Sequence, residues 1–268
     1  FMTRSEVIGE NGMVATSHPL ATKIGLDILQ NGGNAIDAAI AANAAMGLME
    51  PTGNGIGGDL FALIWHEESG QLYALNASGR SPQGLSYDQL MEELEERDAD
   101  SIPPYDLLSV SVPGAVSGWF SMHERFGSRP MSDILREPTH YAENGFPVTQ
   151  SIAAAWQRSA EFLMDQPGAF RETFTIDGRG PEKGEIFSNP DLANTFRLLA
   201  EEGRSAFYEG EIARKIDAYM REHGGFLRYD DFANHTATWV DPVSTTYPGC
   251  EVSHIGANTQ RTPVLQLL

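Results

Sequence analysis

The chain has 268 residues, 41% hydrophobic and 21% charged, which suits one or two globular domains with a sizeable core. Its formal charge of −19, from 18 basic and 37 acidic side chains, argues against a nucleic-acid partner, whose phosphates need Lys and Arg. No apolar run approaches a membrane span, so no membrane partner is expected.

A single cysteine, Cys250, excludes an internal disulfide and fits a reducing compartment. The only lysines are Lys23, Lys183 and Lys215. Such a composition fits a salt-adapted surface or an ordinary acidic protein, and the second reading is preferred. The opening Phe1-Met2 lacks the basic-then-apolar layout of a secretory signal. A cytoplasmic location is favoured if that start is native. A signal peptide removed upstream would place the protein in the periplasm or outside the cell.

In chain order, Met13–Thr16 reads as a short strand. A helix runs from Pro19 to Gln30, with Leu20, Ile24, Ile28 and Leu29 near helical spacing, and stops at Asn31-Gly32-Gly33. Ala35–Met49 is alanine-rich and apolar nearly all round, the signature of a buried helix, and Pro51 ends it. Asp59–His66 and Gln71–Asn76 read as strands paired across Glu67-Glu68-Ser69-Gly70. Helices are expected at Ser86–Glu96, Val112–Phe126, Met131–Asn144 with a kink or break at Pro138, Gln150–Met164, Asp191–Glu202 and Glu209–Glu222. Trp239–Tyr247 and Cys250–Ile255 read as strands around Pro248-Gly249. The class is α+β, in one domain.

Gly53-x-Gly55-x-x-Gly58 matches the dinucleotide-binding expression, which needs a strand before it and a helix after it. Here a helix precedes and a strand follows, so a structural turn is the better reading. Its glycines are suited to positive φ and close backbone approach. The seven histidines form no H-x-H or H-x-x-x-H pair and Cys250 has no partner, so neither metal nor cofactor is expected. Cys250 reads as a buried small hydrophobe. Thr245-Thr246 read as strand threonines, because a threonine nucleophile needs its own free α-amine as base. No residue of the chain is assigned a catalytic role. Arg80, in Asn76-Ala77-Ser78-Gly79-Arg80-Ser81-Pro82, follows the hairpin and carries a rigid donor fork suited to a carboxylate. Taken alone, it reads more readily as a surface or structural arginine.

Several ordered segments resemble gamma-glutamyltranspeptidases. They are Gly12–Ala21, Gly32-Gly33-Asn34-Ala35-Ile36-Asp37-Ala38-Ala39, Gly55-Ile56-Gly57-Gly58-Asp59-Leu60-Phe61, Val112–Gly118, Ala142–Val148 and Phe207-Tyr208-Glu209-Gly210. The resemblance implies an N-terminal-nucleophile hydrolase, an αββα sandwich whose precursor cleaves itself into a large and a small subunit. Residues 1–268 correspond to most of the large subunit. The nucleophilic threonine and the oxyanion-hole glycines belong to the small subunit, the expected partner.

The resemblance also places Arg80 where the family binds the α-carboxylate of a γ-glutamyl substrate such as glutathione. Ser81 departs from the Arg-Glu pair common in the family and brings the chain nearer to transpeptidase-like members. Asn258-Thr259-Gln260 resembles a family turn, but Arg261-Thr262-Pro263 stands where a glycine is expected. The alternatives are a cephalosporin or glutaryl acylase of the same superfamily and a non-catalytic binding fragment.

Overall fold

The computed structural model describes residues 5–256, 258 and 262–267. Its first half contains helices α1 (Pro19–Gln30) and α2 (Ala35–Met49), strands β1 (Leu60–His66) and β2 (Gln71–Ala77), and helix α3 (Tyr87–Glu96). A 3-10 turn at Leu107–Ser109 follows, then α4 (Ala115–Phe126), α5 (Met131–Ile134), α6 (Arg136–Asn144) and β3 (Phe146–Pro147). The second half holds α7 (Gln150–Leu163), α8 (Phe170–Phe174), β4 (Ile186–Phe187), α9 (Pro190–Glu202), α10 (Arg204–Tyr208) and α11 (Glu211–Glu222). It ends with α12 (Tyr229–Ala233), β5 (Thr238–Val240), β6 (Val243–Tyr247), β7 (Cys250–His254) and α13 (Thr262–Leu267). The chain forms two compact units. One comprises the residues up to Gly55 with Arg125–Glu201, the other Ile56–Glu124 with those from Glu202 on.

In the first unit α1 and α2 pack together, and Gly32, at φ 82°, turns the chain between them. Asn34 caps α2, its Oδ1 accepting from the N–H groups of Ile36 (2.9 Å) and Asp37 (3.0 Å). Asp37 returns the bond by accepting from Asn34 N (3.0 Å), which completes a capping box. The helix is buried on most sides, as its composition predicts. An aromatic cluster adds to this core: Trp156 meets Phe187 edge-on at 4.6 Å, and Phe187 meets Phe146 at 6.2 Å.

Met13–Thr16 lies in no regular element and joins no sheet among the described residues. Thr16 N instead donates to Oγ1 of Thr22 on α1 (3.2 Å). A strand exists only when a neighbouring backbone supplies its ladder, and no described residue of this unit does so. The expected Met131–Asn144 helix is broken at Leu135. Pro138 lacks an N–H and its ring crowds the carbonyl four residues back, that of Ile134.

In the second unit β1 and β2 pair antiparallel from Leu60↔Ala77 to His66↔Gln71, and β5 joins β2 through Ala74↔Val240. β1 is thus an outer strand. Helix α4 lies against this hairpin, with Gly118 set between Leu60 and Ala77. The expected single strand Trp239–Tyr247 is two strands, because Pro242 has no N–H to continue a ladder. β5 pairs with β2, whereas β6 and β7 form their own hairpin. Thr245 and Thr246 are strand residues, as expected. Cys250 is exposed beside the β6–β7 turn, not buried, because the turn projects it away from the core. The helix expected from Glu209 begins at Glu211, after Gly210.

Candidate carboxylate-binding site

Unit two concentrates polar groups at the end of the β1–β2 hairpin, on the stretch Asn76–Gln83. The hairpin register sets Leu60 opposite Ala77, so Asp59 and Ser78 lie just beyond the last pair. Asp59 Oδ1 accepts from Gly79 N at 2.7 Å. Val112 N donates to the Arg80 carbonyl at 3.0 Å. Gln83 N donates to Oδ1 of Asp231 (2.9 Å), a buried carboxylate that also accepts from Arg228 N (2.8 Å). Arg80 is therefore flanked by backbone bonds on both sides, while its own side chain is exposed. Fixing the Cα of a long side chain lowers the entropy lost when its tip engages a ligand.

Gly79 is required by this packing. A Cβ there would lie 2.1 Å from the Val112 carbonyl oxygen and 2.6 Å from Ser111 Oγ. The Gly55–Gly58 stretch contributes differently from its glycine content. None of Gly53, Gly55, Gly57 and Gly58 has positive φ. Instead the Gly58 carbonyl accepts from both Gly114 N and Ala115 N, each at 2.9 Å, which ties the start of α4 to the hairpin.

A second polar group borders the loop. Ser78 N donates to Asn76 Oδ1 (3.0 Å), Asn76 Nδ2 donates to Asn258 Oδ1 (2.8 Å), and Asn258 Nδ2 donates to Ser78 Oγ. The rest of the resemblance's Asn258-Thr259-Gln260 turn, with Arg261, lies outside the described residues.

The chemistry available is recognition of an anion. A guanidinium cannot be deprotonated at physiological pH, and its planar fork matches a carboxylate. Among the described residues no cluster of three or more His, Cys, Asp or Glu side chains forms a metal-binding arrangement, and no helix is long and apolar enough to cross a membrane.

Reading the residues in order finds Arg80 but passes over the groups that hold it. Asp59 was visible as the acid closing the glycine stretch. Asp231 carried no signal of its bond to Gln83, which lies 148 positions away in the chain, and Asn258 stood out only through the family turn, not through its bonds to Asn76 and Ser78.

The gamma-glutamyltranspeptidase family model matches residues 21–268. The glutathione hydrolase-like YwrD proenzyme of Bacillus subtilis (strain 168) is 36% identical over 255 residues, covering 95% of this chain and 47% of that protein. Among solved structures, cephalosporin acylase from Bacillus halodurans superposes with a TM-score of 0.87 at 40% identity, covering 94% of this chain and 47% of the acylase. Helicobacter pylori gamma-glutamyltranspeptidase gives 0.86 at 28% identity, covering 94% of this chain and 72% of that one. The chain thus spans about half the length of the curated relatives it matches and shares the α+β fold of the N-terminal-nucleophile hydrolases.

Proposed function

We infer function from a plain premise: the chain belongs to the gamma-glutamyltranspeptidase family. We propose that residues 1–268 act as one large-subunit fragment of a self-processing hydrolase or acyltransferase that cleaves γ-glutamyl amides, glutathione among them. A small subunit from the same precursor supplies the N-terminal threonine. That threonine attacks the γ-carbonyl and expels the amine. The acyl group then passes to water or to a second amine. The part played by this chain is to hold the substrate's α-carboxylate on Arg80.

The observation that carries the reading is the backbone around Arg80, fixed at Gly79, Arg80 and Gln83 with the guanidinium left exposed. The proenzyme names of the relatives support processing into two parts. Two surfaces support completion by further polypeptide. Met13–Thr16, expected as a strand, has no ladder among the described residues, and outer strand β1 leaves Leu63 and Trp65 exposed at 39% and 60%. Residues 1–268 produced alone are expected to self-associate; a monodisperse monomer with cooperative unfolding would contradict this.

The test of the site is Arg80→Ala and Arg80→Lys in the full-length precursor. Loss of a charge-assisted bond should weaken γ-glutamyl substrate binding by roughly tenfold to a hundredfold. Lysine should not rescue it, since it lacks the planar fork. Self-cleavage, followed on a gel, should survive. Kinetics equal to wild type in both variants would remove Arg80 from the site.

The structural likeness to cephalosporin acylase favours a second reading, an acylase acting on a glutaryl side chain. Turnover of a γ-glutamyl anilide beside a glutaryl-cephalosporin separates the two.

A further inference from the structure

Tyr208 is fully buried on α10, and its hydroxyl has two partners. Oη donates to the Pro113 carbonyl (2.7 Å) and accepts from Ser117 N (2.9 Å). Burial pushes the hydroxyl well up, so it keeps the proton that the first bond requires. The ring is held as well as its tip. His235 stacks on it, with centroids 5.5 Å apart and planes at 26°, and Cζ of Arg204 lies 4.4 Å from its centroid. Arg204 also donates to the His235 carbonyl, which ties the two neighbours of the ring together.

The two partners of the hydroxyl straddle the start of α4. The first turn of a helix has N–H groups with no acceptor inside the helix. At α4, Ala115 N finds the Gly58 carbonyl (2.9 Å) and Ser117 N finds Tyr208. Ser117 Oγ accepts from Ala237 N (3.0 Å), beside β5. Residues 113–117 are thus fixed from three other segments of the second unit.

That stretch meets the Arg80 loop backbone to backbone. A Cβ on Gly114 would lie 2.1 Å from the Ala77 carbonyl oxygen, and one on Gly79 would lie 2.1 Å from the Val112 carbonyl oxygen. Val112 N, one residue before Pro113, donates to the Arg80 carbonyl (3.0 Å). Side chains take up a shift by changing rotamer, whereas two backbones in contact transmit it. A displacement of Pro113 therefore passes directly to residues 77–80.

We propose that Tyr208 is a positioning residue of the Arg80 site: its hydroxyl fixes residues 113–117, and through Val112 and Gly114 these set the main chain from which the arginine side chain departs. The inference rests on reading Arg80 as the carboxylate anchor. Tyr208 lies too deep to touch substrate and acts only through backbone. The Arg80 side chain is exposed, so its approach to a carboxylate depends on where its main chain stands. A two-pronged bond needs both direction and distance, and a misplacement of about 1 Å can cost up to roughly a hundredfold.

The experiment uses the complete processed enzyme. Tyr208→Phe removes Oη and keeps the ring. Its KM for a γ-glutamyl anilide, and the inhibition constant of L-glutamate, should rise roughly threefold to tenfold, while kcat stays within about twofold. A purely structural loss would lower the amount of active enzyme and leave KM as it was. The double variant with Arg80→Ala should have the KM of Arg80→Ala alone, because a residue acting through the arginine has nothing left to act on. In the wild type, the amides of Val112 and Ser117 should exchange with deuterium as slowly as the middle of α4. Exchange as fast as that of an exposed loop overturns the proposal, even where Tyr208→Phe fails to fold. An unchanged KM in folded Tyr208→Phe, or losses that add in the double variant, also overturns it. Arg80→Ala separates this inference from the reading beneath it. If Arg80→Ala keeps the wild-type KM, the anchor is wrong and the positioning role falls with it. If Arg80→Ala raises KM while Tyr208→Phe does not, only the positioning role is wrong.

Discussion

Asp37 and His235 are both buried titratable side chains, one in each unit, and they are treated oppositely. Asp37 is saturated: its carboxylate accepts from Asn34 N (3.0 Å), Ser128 N (3.0 Å) and Ser128 Oγ (2.5 Å). Asn34 adds a bond of its own, from Nδ2 to the Phe126 carbonyl (2.6 Å). The Gly32–Ala39 motif therefore works as a clamp, closing the turn between α1 and α2 and tying it to the chain's return at Phe126–Ser128. His235 has no such partner among the described residues; its ring is held by stacking on Tyr208. A saturated buried group holds a fold together, whereas an open one leaves capacity for a ligand.

The comparison breaks most clearly at Asp37. Asp37→Ala leaves the donors of Asn34, Ser128 and Arg129 without their acceptor and should cost roughly 3 kcal/mol or more of stability. Denaturant unfolding of the full-length protein measures this. A loss below about 1 kcal/mol would mean that water replaces the carboxylate at little cost. Asp37→Asn, which keeps the shape, should lose less. Neither change should alter the pH profile of carboxylate binding.

Gly79→Ala probes the other unit. Its methyl would meet the Val112 carbonyl at 2.1 Å, so the loop must move. Overpacking of this kind costs about 1–3 kcal/mol. Here the larger signal should be weaker glutamate binding, because the bonds that flank Arg80 shift with the loop. A variant that loses stability but binds glutamate normally would show that the fixed backbone is not what prepares Arg80.

Acid sharpens the contrast. Burial disfavours the Asp37 carboxylate, but the bonds from Ser128 and from the backbone of Asn34, Ser128 and Arg129 outweigh it and hold the group below its ordinary value of 3.8. Its contribution to stability is then complete above that value and is lost as pH falls through the lower folded one. Acid unfolding should begin at higher pH in wild type relative to its own neutral stability than in Asp37→Asn, which has no such proton to gain.

The smallest effect is expected at Arg179 and Glu185. They form a two-pronged pair at 2.8 and 2.7 Å, and Arg179 holds the Glu185 carboxyl down at about 2. Both side chains remain substantially exposed, at 43% and 30%, so solvent screens the pair. Arg179→Ala should leave the melting temperature nearly unchanged. A large drop would show that the loop following α8 depends on this pair.

The sequence by itself determined the local elements. The bounds of α1 and α2 match the reading residue for residue, because proline, asparagine and glycine set their ends through short-range backbone chemistry. Family motifs identified the fold and singled out Arg80. Only the tertiary structure decided whether an expected strand found a ladder, since Met13–Thr16 needed a partner that no local signal supplies. It likewise decided what surrounds Arg80. Asp59, Val112 and Asp231 come from three separate segments, and their roles depend on distances and burial that chain order does not encode. The same holds for Asp37, whose capping box could be read locally but whose bonds to Ser128 span 91 positions and exist only once the chain has closed on itself.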